Sequence, residues 1–163
     1  MFELLEKTLT EIKSVLLNDE LVRKLVYNNS NNCLNMDTPT KDVVKKYITL
    51  HPIYQFENTE PYEQQGMINI YMATNAIDNG YTTSSGVIQI NVVFNVDKWD
   101  LIDNKIRPIE LINRVVQLVN NKKFSISNQL IYTNTQPLVL SKQLIGYALL
   151  FDYVDGNSNL NNF

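Results

Sequence analysis

From Phe2 to Leu17 apolar side chains return every three or four residues. Phe2, Leu5, Leu9, Ile12 and Leu16 fall on one side, with Glu3, Glu6, Lys7, Glu11 and Lys13 around the rest. That period predicts an amphipathic helix over 2–17. Asn18-Asp19 breaks it and caps a second helix, "ELVRKLVY", whose buried side holds Leu21, Val22, Leu25 and Val26. "NNSNNCLNMDTPT" reads as a loop, and Thr38-Pro39 starts a short helical turn over Lys41–Lys46.

The period then falls to two, as it does in a strand. "YITLHPIYQF" reads as a strand from Tyr47 to Phe56 that Pro52 confines to an edge or a bulge. "GMINIYMATNAI" and "GVIQINVVFNV" predict two strands that pair antiparallel across the Gly- and Ser-rich link "DNGYTTSSG". The second strand poses a problem. Ile88, Ile90, Val92, Phe94 and Val96 form an apolar face, but Val87, Gln89, Asn91, Val93 and Asn95 form a face that is polar without any charge. A solvent face usually carries Lys or Glu, which discourage stray pairing.

A helix follows within "DKWDLIDNKIRPIELINRVVQLVNN", with Pro108 in its first turn and Glu110 near its positive end. Ile109, Ile112, Val116 and Val119 form its expected stripe, widened by Leu111 and Val115. Two strands close the chain, "FSISNQLIYTNT" and "PLVLSKQLIGYALLFDYV", divided at Gln136-Pro137, with a further split at Ser141-Lys142. The order α-α-β-β-β-α-β-β predicts an α+β domain: an antiparallel or mixed sheet of four to five strands with helices packed on one face. It spans 1–155, with 156–163 as a flexible C-terminal tail.

Length fits that reading, since a chain of 163 residues buries about 70% of the surface its unfolded form exposes. Net charge is −3, and Lys and Arg form no basic stripe, so nothing global points to nucleic acid. A single cysteine, Cys33, excludes a disulfide within the chain and fits maturation in a reducing compartment. Glu3 and Glu6 stand where a signal peptide needs basic residues, and no window approaches a membrane-spanning apolar run.

Candidate chemistry is sparse. His51 is the only histidine and lacks a partner for metal or catalytic work. Cys33 has neither a base nor an orienting group near it in sequence. Asp97, Asp100 and Asp103 recur every three residues, as hard-cation ligands do, but Asp103-Asn104 is also turn chemistry. Asp78-Asn79-Gly80 resembles a calcium-loop fragment without its closing Glu, and a hairpin turn explains it better. Phosphate-loop, dinucleotide, nucleophile-elbow and zinc-helix motifs are missing. The expectation is therefore a protein without catalytic residues, cofactor or metal.

What stands out is where charge is lacking. Between Met67 and Val96 the one acid or base is Asp78, and Phe124 to Ser141 holds no Asp, Glu, Lys or Arg. The helices, by contrast, carry ordinary charged faces. A sheet short of charge on both sides is either covered within the chain, by helices on one face and a loop on the other, or set against a neighbouring subunit, since interface cores are depleted in Lys, Glu and Asp. An open monomer would risk edge-to-edge aggregation, which favours the second.

The element order resembles the tail terminator, or tail-completion, proteins in the neck of long-tailed bacteriophages. The likeness runs through "LLEKTLTEIKSVLLNDELVRKLVY", "ITLHPIYQF", the hairpin "GMINIYMATNAI … GVIQINVVFNV", "WDLIDNKIRPIELINRVVQLVNN", "FSISNQLIYTNTQPLVLS" and "QLIGYALLFDYVD". The resemblance implies a virion structural protein, made in the host cytoplasm, that forms a closed ring, often of six. Such a ring caps the tail tube, touches tube and connector proteins and lets DNA pass through. It implies no membrane and no sequence-specific nucleic acid. The surface expected to meet a neighbour is Gln89, Asn91, Val93 and Asn95, with Asp78, Asn79 and Tyr81 in a loop that reaches the adjoining ring. Three alternatives stay open: a head-side connector or stopper ring, a small ligand-binding module with a pocket lined by Tyr71, Trp99 and Tyr147, and a metal enzyme built on the three aspartates. For the leading reading, Gln89→Lys with Asn91→Glu is expected to weaken assembly and leave the fold intact.

Overall fold

The computed structural model describes residues 2–53, 66–77, 84–126 and 129–154. In chain order these hold α1 (Phe2–Asn18), α2 (Glu20–Tyr27), a 3-10 turn (Cys33–Asn35), α3 (Lys41–Val44) and a second 3-10 turn (Lys45–Tyr47). Then come β1 (Ile48–Thr49), β2 (Met67–Ile77), β3 (Ser84–Asn95), a third 3-10 turn (Val96–Lys98), α4 (Arg107–Val119), β4 (Ile131–Val139) and β5 (Leu144–Val154). The fold is α+β, as the periodicity predicts.

The sheet is mixed, in the order β1-β2-β3-β5-β4, with β1 parallel to β2 and every other pair antiparallel. One face carries Ile68 and Ile70 of β2, Ile88, Ile90, Val92 and Phe94 of β3, and Leu149, Phe151 and Tyr153 of β5. The helices close this face with Leu5, Ile12 and Leu16 from α1, Val22, Leu25 and Val26 from α2, and Leu111, Val115 and Val119 from α4.

Four expectations change. The strand expected over 47–56 shrinks to Ile48–Thr49, beside Ile68 and Asn69 of β2; Tyr47 is in a 3-10 turn and 54–56 lie outside the described residues. The α4 stripe is rotated. Leu111, Val115 and Val119 are buried with Arg107 and Pro108, Ile112 and Val116 flank them, and Ile109 is 39% exposed. The turn is set by the chain before the helix, which brings Arg107 inward and so fixes which side faces the sheet. β3 stops at Asn95, whose side chain accepts from the Asp97 amide and starts a 3-10 turn, so Val96 leaves the apolar row and is exposed.

The fourth change concerns Pro137. Gln136-Pro137 does not divide the strands; β4 runs through it, and the break falls at Ser141-Lys142. The Leu140 amide donates to the Leu144 carbonyl at 3.0 Å. Backbone groups of an antiparallel strand alternate in direction, so those of Val139, Pro137 and Thr135 face away from β5. β4 is the last strand of the sheet. Proline's missing N–H therefore costs no ladder bond there. The tail expected at 156–163 lies outside the described residues.

Several polar side chains pin the helices. Asp19 accepts the Val22 amide at 3.0 Å with one carboxylate oxygen, capping α2. Its other oxygen accepts from Arg114 Nη2 at 2.6 Å and Nε at 3.0 Å, tying α2 to α4. On α1, the buried Thr8 hydroxyl accepts the Ile126 amide at 2.8 Å, and Glu11 accepts the Ser125 amide and hydroxyl at 2.9 and 2.6 Å. Arg107, only 1% exposed, donates to four backbone carbonyls: Lys98 (2.7 Å), Leu25 (2.8 Å), Asn28 (2.6 Å) and Ser30 (2.8 Å).

The Asp19 arrangement is pH-sensitive in a defined sense. Burial pushes its carboxyl up, but the Arg114 hydrogen bonds, the Val22 amide and the Arg114 charge outweigh burial, so its pKa lies below the ordinary value. A pKa lower in the folded than in the unfolded chain contributes stability that is full above the ordinary carboxylate range and is lost as pH falls through the folded value. Asp19→Ala should cost about 1–2 kcal/mol in urea denaturation at neutral pH. Asp19→Asn keeps a capping oxygen and should narrow the difference between stability at neutral and at acid pH. An unchanged acid limb in Asp19→Asn would show that Asp19 does not set it.

Candidate interaction surface

The second face of the sheet answers the problem of the uncharged strand. The register sets Asn69 of β2 beside Asn91 of β3, and Tyr71 beside Gln89. Gln89 Nε2 donates to Asn91 Oδ1 at 2.8 Å, and Asn91 Nδ2 donates to the Tyr71 hydroxyl at 3.1 Å. Asn69 Nδ2 donates to Thr49 Oγ1 at 2.9 Å, and the Thr49 hydroxyl donates in turn to the His51 carbonyl at 3.0 Å. These amides bond sideways along the face, Gln89 to Asn91 and the two asparagines to the Tyr71 and Thr49 hydroxyls. A charged side chain in their place would be desolvated without a counter-ion.

Asn91 is 2% exposed and Val93 is fully buried within a single chain, while Gln89 and Asn95 are half-buried. Val93 packs with Met67, Leu144, Leu140 and Ile53 in a small apolar cluster. The chain's own residues thus close the Asn91 and Val93 part of this face, and Asn91→Glu would bury a carboxylate. The Gln89, Asn91 double change is therefore a test of folding as much as of assembly. Asp78, Asn79 and Tyr81 lie outside the described residues.

The described surface most open to a neighbour is β4, which the sequence marks only by its lack of charge. On the helix side its Pro137–Val139 end is exposed, whereas Tyr132 packs against Phe151 and is part-buried. Pro137 lies beside Tyr147, whose ring meets Trp99 at a centroid distance of 6.0 Å, and Val139 lies beside Ile145. Val139 is 59% exposed; Ile131, at the other end of the strand, is exposed on the opposite face, beside Asp152. Val96, held to the Gln143 carbonyl by its amide at 2.8 Å, extends the apolar surface at the Val139 end. The edge also offers unused backbone groups: N–H and C=O at Thr135 and Val139, and C=O alone at Pro137, by the alternation set at Leu140.

The other candidates come apart in three dimensions. Tyr71 lies on the amide face, across the sheet from Trp99 and Tyr147, so the three line no common pocket. Asp100 bridges to Ile106 in a small hairpin turned at Asp103-Asn104, both with left-handed φ (62° and 57°). Among the described residues no three His, Cys, Asp or Glu side chains converge on a metal position. His51 is exposed, with Nδ1 3.0 Å from the carbonyl of Pro52. Cys33 is buried beside Arg107; burial raises its pKa and the guanidinium only partly offsets that, so the thiol stays protonated. No helix among the described residues is long and apolar enough to cross a membrane.

The loop over 28–42 is held within the single chain. Arg107 grips the Asn28 and Ser30 carbonyls, and Ile102 donates to the Asn31 carbonyl at 3.0 Å. Sequence reading passed over Arg107, because an arginine before a proline at a helix start gives no sign of facing inward.

Fold and surface together define an α+β protein whose candidate site is a strand edge with an apolar flank. The chain belongs to the YomW family, whose model matches residues 18–153, from the end of α1 through β5. That family is phage-derived, which makes this a phage-associated protein. A search of curated proteins gave no match.

Proposed function

We propose that the protein is a structural, non-enzymatic component of the phage particle that assembles as a ring of copies. The ring stands at the head-proximal end of the tail, where it closes the tube and joins it to the neck. The observation that carries the reading is β4: a terminal strand of nine residues without one charged side chain, with apolar Val139 and Ile131 exposed on it. A free strand edge of this length is normally blunted by charge, proline or a bulge, or is covered; β4 has Pro137 and a register shift between Tyr132 and Asn134 but no charge. An edge that meets another copy can do without the charge. Ring closure uses head-to-tail contacts, in which β4 of one copy meets a different patch of the next. Membership of a phage-derived family supports a place in the particle.

The test is native mass measurement of the purified chain and of Gln136→Lys with Val139→Lys. Both positions are exposed and lie on opposite faces of β4, so the fold should change by less than about 0.5 kcal/mol. The parent chain should form a multiple of its monomer mass, six copies being the expected number. The double variant should fall to monomer with an unchanged unfolding midpoint. A variant that assembles like the parent would remove β4 from the interface, and a parent that stays monomeric both alone and with tail tubes would overturn the ring.

A further inference from the structure

A second surface has the opposite character. α3 and the 3-10 turn after it carry Lys41, Lys45 and Lys46, all exposed, and α1, which packs against α3, carries Lys13. Lys41 and Lys45 are four residues apart, one helical turn. Burial lowers the pKa of Lys13 and the charge of Lys45 lowers it further, so the α1 and α3 cations feel each other. Among the described residues the only carboxylate paired with the group is Asp42, 3.4 Å from Lys45, and that pair is open to solvent. Lys46 holds its ammonium over the Tyr47 ring, Nζ 5.1 Å from the ring centre, a cation–π contact at an exposed side chain. On α1 the acid sharing the flank of Lys13 is Glu6, seven residues and about 10 Å away along the axis. That distance is close to the screening length of physiological salt, about 8 Å.

We propose that Lys13, Lys41, Lys45 and Lys46 form a contact for the phosphate backbone of DNA, without preference for base sequence. Four lysines against the single described carboxylate Asp42 leave a local excess of positive charge that an anion from outside would relieve. The patch contains no arginine, so it lacks the rigid fork that selects individual carboxylates. Lysines are point charges on flexible stems, suited to a repeating array of phosphates. The chain's net charge of −3 does not oppose this, because acids beyond the screening length have little effect at the patch.

The inference does not depend on the ring. Its test is fluorescence anisotropy of a labelled DNA duplex, titrated with the full chain at low ionic strength and then with added salt, with native mass measured on the same samples. Lys41→Gln, Lys45→Gln and Lys46→Gln combined should weaken binding at least tenfold. The triple change should also flatten the slope of log affinity against log salt by about 2–3, at about 0.9 per lost phosphate contact. A charge-matched control, Lys105→Gln with Lys122→Gln and Lys123→Gln, should bind nearly as the parent does. Equal loss in both triples, no binding by the parent at low salt, or equal affinity for polyglutamate would each overturn the proposal. The last result would point to an acidic protein as partner. DNA binding by a chain that stays monomeric keeps this inference while removing the ring.

Discussion

Replacing Arg107 with methionine should destabilise the fold by about 4 kcal/mol, read as a shift of the urea midpoint without a change of slope. The size follows from what the side chain leaves behind. Four carbonyls, at Leu25, Asn28, Ser30 and Lys98, lose a charged donor, and an orphaned buried acceptor costs about 1–3 kcal/mol. Part of this is returned because the guanidinium is no longer desolvated; burial already pulls its pKa down. The rest is a large share of the 5–15 kcal/mol typical of a domain. Arg107→Lys keeps the charge but not the fork, and should recover less than half of the loss. The site also explains how the charge is tolerated. Two of the carbonyls belong to the C-terminal end of α2, which is the negative end of the helix dipole, and the Phe94 ring lies 5.7 Å from the guanidinium carbon. If Arg107→Met unfolded at the parent midpoint, the clamp would be ornamental.

The second large effect is expected at Gly146. Its register partners are Val93 of β3 and Leu138 of β4, in the middle of the sheet. A methyl group there would overlap the Val92 carbonyl oxygen and press on the backbone of Val92 and Val93. Backbone has no rotamer to move aside, so β3 and β5 must separate locally. Gly146→Ala should therefore cost at least about 3 kcal/mol, the upper end for overpacking. Hydrogen exchange should show β3 and β5 amides near Val92 and Tyr147 losing protection first. A variant as stable as the parent would mean the two strands have slack that their register does not suggest.

Much of the architecture was legible from periodicity. α1, α2, the β2–β3 hairpin and the Pro108 start of α4 follow from repeats and caps, which are local properties. The misreadings arose where a distant contact decides. Ile109 scans as part of an apolar stripe, but Arg107 is drawn to the α2 carbonyls and turns Ile109 outward. Pro137 scans as a break, but a proline at the free edge of a sheet removes no bond. The uncharged face of β3 was visible as a pattern; its partners, Tyr71 and Thr49, depend on register and on β1 crossing beside β2. β4 as a surface was half legible, since the lack of charge is in the sequence and the terminal position is not. The lysine patch was hidden because Lys13 and Lys41 are separated by α2 and a loop.

Pro137 also bears on the time between synthesis and use. Identical uncharged strands stacking in register are how amyloid nucleates, and such growth requires every backbone donor along the strand. With one donor missing midway along the outer side of β4, two such strands brought level at that residue gain nothing at the centre of their overlap. The missing donor thus disfavours growth of such copies into fibres, while the Thr135 and Val139 amides would remain open to a partner that docks off-centre.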